Sequence, residues 1–168
     1  MNPLNWSFRT SFALCAALCA ALLGYAFYTQ FQGGLEPCPL CILQRVGFMA
    51  LLAVAVLAAI HNPSGSRGRR VYGVLALLSA GFGLMVAGRH VWLQHLPADK
   101  VPDCGPGLSY MLDSFPLSKT IKMIFTGSGE CAKVDWTFVG LSMPEWTLVW
   151  FVLFTFGAFW YGLRQPKQ

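Results

Sequence analysis

The sequence has few charged residues. Only 11% of its 168 residues are charged, against about a quarter in a typical soluble domain. Acidic residues are the scarcest, with seven against twelve lysines and arginines. The chain also lacks a nucleotide-binding glycine motif, a serine triad and a pair of carboxylates at a catalytic spacing. These absences weigh against the soluble enzyme classes that depend on such motifs, and nucleic acid is not an expected partner.

Hydrophobic residues make up 55% of the chain and are concentrated in four runs, at 11–28, 42–60, 71–88 and 146–162. Each run is about 17 to 19 residues long, which as a helix matches the hydrocarbon thickness of a bilayer. The runs lack the polar faces that surround a soluble core. The sequence therefore predicts an all-α membrane protein, a four-helix transmembrane bundle in which residues 1–168 form a single integral membrane domain.

On one side of these four helices, the termini and the connecting loop together carry six basic residues and no acidic residue. Short loops rich in lysine and arginine mark the cytoplasmic side, so both termini are predicted to be cytoplasmic. The loops at 29–41 and 90–145 then lie on the outer side, where all seven acidic residues fall. The basic residues in question are Arg9, Arg67, Arg69, Arg70, Arg164 and Lys167.

The long outer loop contains a short stretch with helical periodicity. Leu117, Ile121, Ile124 and Phe125 recur at helical spacing, with lysines between them. This pattern predicts a short amphipathic helix. It could lie on the outer leaflet or cover the end of the bundle.

Four of the six cysteines, namely Cys38, Cys41, Cys104 and Cys131, fall in the outer segments. Disulfides persist on the oxidising side of a membrane, so the four predict two disulfides, for which the sequence allows three pairings. The glycines and prolines around Cys104, and the glycines before Cys131, predict irregular and accessible backbone at both. Cys15 and Cys19 lie within the first run and are interpreted as packing residues.

The stretch EPCPLCILQRVGF carries the strongest chemical signal. Pro39 suits the first position of a helix, which places Cys41 in the first turn, where free N–H groups and the helix dipole favour a thiolate. Arg45 follows one turn later on the same face, so its guanidinium can approach the Cys41 sulfur or an anionic ligand. The alternative is that Arg45 only extends to the membrane interface.

The positions and spacing of the four outer cysteines allow three interpretations. A four-cysteine zinc site is disfavoured, because only one CxxC is present and the compartment is oxidising. Two structural disulfides are possible, and closing the loop from Cys104 to Cys131 would contribute about 3 to 4 kcal/mol. The third interpretation is thiol–disulfide exchange, which suits a CxxC pair because its closed loop is too small to stabilise much.

The chain resembles the DsbB family of bacterial disulfide bond formation proteins. The resemblance is carried by CPLCILQR at the head of the second helix, RHVWLQ after the third and GLSMPEW before the fourth, together with the two loop cysteines. It covers nearly the whole chain. The four-helix vitamin K epoxide reductases are a rival class, but in them the quinone-facing CxxC follows the loop cysteines. A structural membrane protein braced by its disulfides is the rival from another class.

The resemblance implies a chain of disulfide exchanges. A reduced DsbA-type periplasmic oxidase would attack a Cys104–Cys131 disulfide at Cys104 and release Cys131. Cys131 would then bridge transiently to Cys38 of a Cys38–Cys41 disulfide. Cys41 would be left facing a bound quinone. All four cysteines are therefore expected to be catalytic.

The resemblance also implies the setting of the reaction. Arg45 and His90 are expected to bind the quinone, ubiquinone or menaquinone, and no metal is expected. The expected function is re-oxidation of the DsbA-type partner, with electrons passed to the quinone, which sustains disulfide bond formation in the periplasm. The expected location is the bacterial inner membrane.

Overall fold

The computed structural model describes residues 7–102, 110, 113–127, 129–134 and 136–163. Three long helices come first, followed by two short helices, a small hairpin and a last long helix. They are α1 (Phe8–Phe31), α2 (Pro39–His61), α3 (Ser66–Gln94), α4 (Leu117–Thr126), α5 (Gly129–Ala132), β1 (Thr137–Phe138), β2 (Leu141–Ser142) and α6 (Met143–Gly157). A 3-10 turn lies at Ala98–Lys100, and α6 continues as a π-helical turn over Ala158–Leu163.

The all-α membrane fold predicted from the sequence is confirmed. Helices α1, α2 and α3 are long and apolar enough to cross a membrane. Each extends several residues beyond its apolar run, since helical hydrogen bonding continues past the hydrophobic stretch. The last run becomes α6 and its π-helical continuation. The antiparallel hairpin, in which Thr137 pairs with Ser142 and Phe138 with Leu141, was not predicted because its strands are only two residues long.

The inner part of the bundle is an apolar core of aromatic rings and small residues. Phe151 on α6 is fully buried and stacks on Phe48, with ring centroids 4.2 Å apart. Its ring occupies space left by Gly83, where a Cβ would come within 2.1 Å of the ring. At Gly47 a Cβ would lie 3.2 Å from the Gly83 Cα. Glycines on facing helices therefore let α2, α3 and α6 approach closely, as is common between membrane helices.

The amphipathic helix predicted in the long loop is present as α4, and it packs on the bundle. Ile124 is buried against residues of α2 and α3, including Leu40 and Leu93. Arg89 holds the C-terminus of α4 by donating hydrogen bonds to the carbonyl oxygens of Phe125 and Thr126, at 3.0 and 2.9 Å. Of the two positions allowed by the sequence, α4 adopts the one that covers the bundle end.

The expectation of accessible backbone at Cys131 was wrong. Cys131 lies in α5 with 1% of its surface exposed, packed against the cluster that includes Leu40 and Ile124. The glycines before it permit the turn after α4, where Gly127 has a φ of +86°. Beyond this turn, Cys131 packs against the bundle. Cys104, for which the same expectation was made, lies outside the described residues.

Candidate functional site: a thiol cluster at the head of an apolar cavity

The start of α2 is built from the CxxC pair itself. Cys38 is the N-cap residue, with extended backbone, and its sulfur accepts a hydrogen bond from the Cys41 N–H at 3.4 Å. Pro39 takes the first helical position, as predicted. Both cysteines are thiols here, and the Cys38 Sγ donates to the Cys41 Sγ at 3.1 Å. Cys41 therefore lies in the first turn of a helix, and a Cys38–Cys41 disulfide stays a prediction.

The fold brings a third cysteine to this pair. The sulfurs of Cys38 and Cys131 and a ring nitrogen of His90 all lie within 4.8 Å of one another. Three elements supply them, since Cys38 begins α2, His90 lies in the last turns of α3 and Cys131 lies in α5. Two sulfurs at this separation are close to the distance from which a disulfide can form after a small rotation of the side chains.

His90 joins the three elements through its ring nitrogens. It is 2% exposed, and its Nε2 lies 3.0 Å from the Cys131 carbonyl oxygen and 3.8 Å from the Cys38 Sγ. On the other side of the ring, Nδ1 lies 3.2 Å from the Gln44 side-chain nitrogen. The sequence placed His90 near the end of α3, and the structure shows that it is buried among the thiols instead of facing the interface.

Arg45 lies beside the thiol pair but is held by α1. Its guanidinium donates hydrogen bonds to the Ala26 carbonyl oxygen at 3.1 Å and to the Gln30 side-chain oxygen. It also lies over the Phe27 ring, 5.1 Å from the centroid. A guanidinium that is partly buried needs such acceptors. Arg45 therefore ties α2 to α1 while it lines the space next to Cys41.

That space is a cavity of about 520 Å³ between α1, α2 and α6. Its wall is mostly apolar, and the hairpin contributes Phe138. The polar groups that reach it include Cys41, Arg45, Gln44 and His90. A cavity of several hundred Å³ with few polar groups is typical of a site for a small apolar ligand. The ring of a quinone, with two carbonyl oxygens able to accept hydrogen bonds, fits this donor set.

Two residues of the site, Gln44 and Thr147, were not singled out from the sequence. Gln44 is 3% exposed and connects His90 to α6, because its side-chain oxygen accepts a hydrogen bond from the Thr147 hydroxyl at 3.0 Å. The available signal was an uncharged polar residue within an apolar run, three positions after Cys41. Thr147 carries no comparable signal, since threonine is common in such helices.

The cluster of Cys38, Cys131 and His90 has side chains that also bind soft metal ions. The hydrogen bonds oppose metal binding in this arrangement. Because a carbonyl oxygen can only accept, the Nε2 that faces the Cys131 carbonyl carries a hydrogen and offers no lone pair to a metal. The arrangement is suited to exchange between neighbouring sulfurs.

A helical membrane bundle with a CxxC pair at a helix N-terminus, a third cysteine beside it and an apolar cavity below defines a class, the membrane thiol oxidoreductases. Comparison with known proteins supports this assignment. The family model described as "Disulfide bond formation protein DsbB" matches residues 8–161. The chain belongs to this family.

Several curated relatives are named "Disulfide bond formation protein B". The protein of Xanthomonas euvesicatoria pv. vesicatoria is 47% identical over 168 residues, which is 100% of this chain and 98% of the relative. That of Methylococcus capsulatus is 56% identical over 87% of this chain and 88% of the relative. That of Nitrosococcus oceani is 52% identical over 94% and 90%.

Proposed function

We propose that this protein re-oxidises a DsbA-type thiol oxidase of the periplasm and passes the electrons to a membrane quinone. The observation that carries the proposal is the proximity of the Cys38 and Cys131 sulfurs, within 4.8 Å, at a cavity that Cys41 lines. A relay needs such a contact, because electrons move between disulfides only by direct attack of one sulfur on another. Family membership supports the same reaction.

The proposed relay starts at the long outer loop. The partner's thiolate attacks a Cys104–Cys131 disulfide at Cys104, which releases Cys131. Cys131 then attacks Cys38, forms a Cys131–Cys38 bond and breaks the Cys38–Cys41 bond, so that the electron pair leaves on Cys41. The first turn of α2 stabilises that anion through its free N–H groups and its dipole. Burial of Cys131 shields the intermediate bond from other thiols.

The terminal acceptor is proposed to be a quinone held in the 520 Å³ cavity. DsbA-type oxidases have potentials near about −120 mV, so ordinary structural disulfides, below about −300 mV, cannot re-oxidise them. A bound quinone supplies a two-electron acceptor drawn from the membrane. Arg45 and His90 would hold it, since both line the cavity, Arg45 with guanidinium N–H groups and His90 with its ring. The positive charge of Arg45 would also offset negative charge that develops on the quinone in this cavity.

The proposed setting is the bacterial inner membrane, crossed four times, with both termini in the cytoplasm. The basic segment between α2 and α3 would face the cytoplasm. The thiol cluster, α4 and the hairpin would face the periplasm, where the partner oxidase is present. In this orientation the cavity opens among the outer ends of α1, α2 and α6.

A kinetic assay tests the proposed relay. Purified protein is mixed with a reduced DsbA-type oxidase and a water-soluble ubiquinone analogue, and both partner re-oxidation and quinone absorbance are followed. Turnover should fall to background in Cys38→Ser and in Cys131→Ser, because each removes a sulfur from the relay. Cys15→Ala, a change at a cysteine of α1 that does not line the cavity, serves as the control. Normal turnover in both serine variants would refute the relay.

A further inference from the structure

The buried polar residues of the site form a chain across three helices. The Thr147 hydroxyl of α6 contacts the Gln44 side-chain oxygen at 3.0 Å, and the Gln44 side-chain nitrogen contacts His90 Nδ1 at 3.2 Å. The far end of the chain is His90 Nε2, 3.8 Å from the Cys38 sulfur. Neither Gln44 nor Thr147 has a role in the proposed relay so far.

The contacts at both ends of the imidazole fix its hydrogen position. The Cys131 carbonyl oxygen can only accept, so Nε2, 3.0 Å away, must carry the hydrogen. A neutral ring then has a bare lone pair at Nδ1, which needs a donor. Among the described residues the amide nitrogen of Gln44 supplies one, and this requires the Gln44 oxygen to point the other way, towards the Thr147 hydroxyl.

The orientation of the Gln44 amide is supported independently from α6. The Thr147 hydroxyl lies between two oxygens, 3.0 Å from the Gln44 Oε1 and 2.8 Å from the Pro144 carbonyl oxygen. The hydroxyl has a single hydrogen, which it shares between these two acceptors, so the amide oxygen faces Thr147 and the amide nitrogen is left for His90. The side chain is 3% exposed, so water is a poor substitute for either partner.

We propose that Gln44, anchored by Thr147, is a positioning residue that holds His90 in its Nε2–H form, so that this N–H faces both the Cys131 carbonyl oxygen and the Cys38 sulfur. The inference rests on the proposed relay and adds a step to it. The partner's second thiolate first attacks the partner's own sulfur in the mixed disulfide, which releases the oxidised partner and leaves Cys104 as a thiolate. When the Cys104 thiolate then attacks Cys131 of the Cys38–Cys131 bond, a Cys104–Cys131 bond forms and the Cys38–Cys131 bond breaks. The electron pair then leaves on Cys38, where the His90 N–H stabilises it by a charge-assisted hydrogen bond.

The same N–H also positions α5 relative to α2. By donating to the Cys131 carbonyl at 3.0 Å, His90 fixes the backbone of α5 relative to α2. The two sulfurs are thereby kept within reach of each other. Loss of Gln44 should therefore slow the exchange steps without changing the cavity wall that Arg45 forms.

Nitrogen NMR of histidine-labelled protein tests the hydrogen position directly. The chain has three histidines, so the spectrum is simple to assign with a His90→Gln variant. We expect His90 in the wild type to show a protonated Nε2 and an unprotonated Nδ1. In Gln44→Glu both nitrogens should be protonated, because a carboxylate can only accept. A wild-type spectrum with the hydrogen on Nδ1 would overturn the inference.

Kinetics of matched variants test the consequence. Gln44→Met keeps the volume but loses both hydrogen bonds, and we expect kcat to fall about tenfold. Gln44→Glu should restore most of the turnover, since Nε2 keeps its hydrogen. Thr147→Val should lower kcat by about threefold, a smaller loss because one of the two bonds remains. Thr155→Val, the same change two turns along, is the control, because Thr155 bonds only within its own helix.

The two readouts separate this inference from the proposed function. If the wild type fails to re-oxidise any DsbA-type partner, the relay is wrong, and the NMR spectrum still decides how His90 is held. If the wild type is active and Gln44→Met has an unchanged kcat, the positioning role is wrong. Should Gln44→Met fail to fold, Thr147→Val and the wild-type spectrum give the same decision.

Discussion

The half of the helix bundle that contains the start of α2 and the end of α3 is called the outer half, and the opposite half is called the inner half. Different interactions hold the two halves together. In the inner half and the middle of the bundle, buried side chains are apolar, as in the contacts among Phe48, Phe151 and the alanines of α2 and α3. In the outer half lie all the buried polar side chains found among the described residues, which are Thr29, Gln44, His90, Thr120 and Ser142. The cavity and the thiol cluster lie in that half.

This difference shows how the molecule separates stability from chemistry. Apolar packing between helices is close and tolerates little change in volume. Buried polar groups must each keep a partner, at a cost of about 1 to 3 kcal/mol if one is lost. No buried side-chain nitrogen or oxygen of the described residues lacks a hydrogen bond. We therefore expect inner substitutions to change stability and outer ones to change turnover.

The largest effect on stability is expected from Gly83→Ala in the middle of the bundle, where the buried side chains are apolar. The added Cβ would come within 2.1 Å of the Phe151 ring, which is fully buried and stacked on Phe48. The unfolding free energy should fall by about 1 to 3 kcal/mol, as for other overpacked cores. Thermal unfolding in detergent measures the change.

A neighbouring glycine provides the control for Gly83. Gly81 has nothing within 4 Å of an added Cβ, so Gly81→Ala should be neutral or slightly stabilising because alanine favours helix. Adding Phe151→Leu to Gly83→Ala should recover part of the loss. Equal melting temperatures for Gly81→Ala and Gly83→Ala would contradict the close packing described here.

The next effect, on quinone binding, is expected from Arg45→Ala in the outer half. The apparent quinone KM should rise about tenfold, since a hydrogen bond from a charged group contributes about 1.5 to 3 kcal/mol. Arg69→Ala is the control. Arg69 lies near the inner end, where it bonds the Pro63 carbonyl oxygen at 3.0 Å and lies over the Phe8 ring. An unchanged KM in Arg45→Ala would remove that residue from the quinone site.

The smallest effect on stability is expected at the tip of the hairpin, which is exposed and packs against neither half of the bundle. Val139 has a φ of +53° and is 78% exposed. A β-branched residue is strained in this left-handed conformation, which asparagine tolerates. Val139→Asn should stabilise the protein by about 0.5 to 1 kcal/mol. Gly140→Ala, at a φ of +79°, should act with the opposite sign. Two shifts of the same sign in thermal unfolding would contradict the turn geometry.

The same division explains what could be predicted from the sequence. The long helices were predictable because apolar runs of bilayer length have few other structures. The start of α2 was predictable because Pro39 and the CxxC pair are local signals. The burial of Cys131 was not, because it depends on where α5 packs. The glycines that precede Cys131 predict a turn, but they do not indicate which residues after the turn pack against the bundle.

The polar contacts of the site were the least predictable part. Gln44 and Thr147 are far apart in sequence and meet because α2 and α6 both pack on α3, so that the two side chains reach each other. His90 was placed near the site by resemblance alone, and its contact with the Cys131 carbonyl depends on tertiary packing. The pairing of the cysteines also stays a prediction, because Cys104 lies outside the described residues.

One measurement tests the central claim that Cys131 and Cys38 exchange directly. The Cys41→Ser/Cys104→Ser variant removes both predicted disulfide partners and keeps Cys15, Cys19, Cys38 and Cys131. After mild oxidation with diamide and digestion without reductant, mass spectrometry identifies the linked peptides. We expect a Cys38–Cys131 bond within one chain as the main product, because the two sulfurs lie within 4.8 Å of each other. Absence of that bond, with both thiols still free or joined between chains, would contradict it.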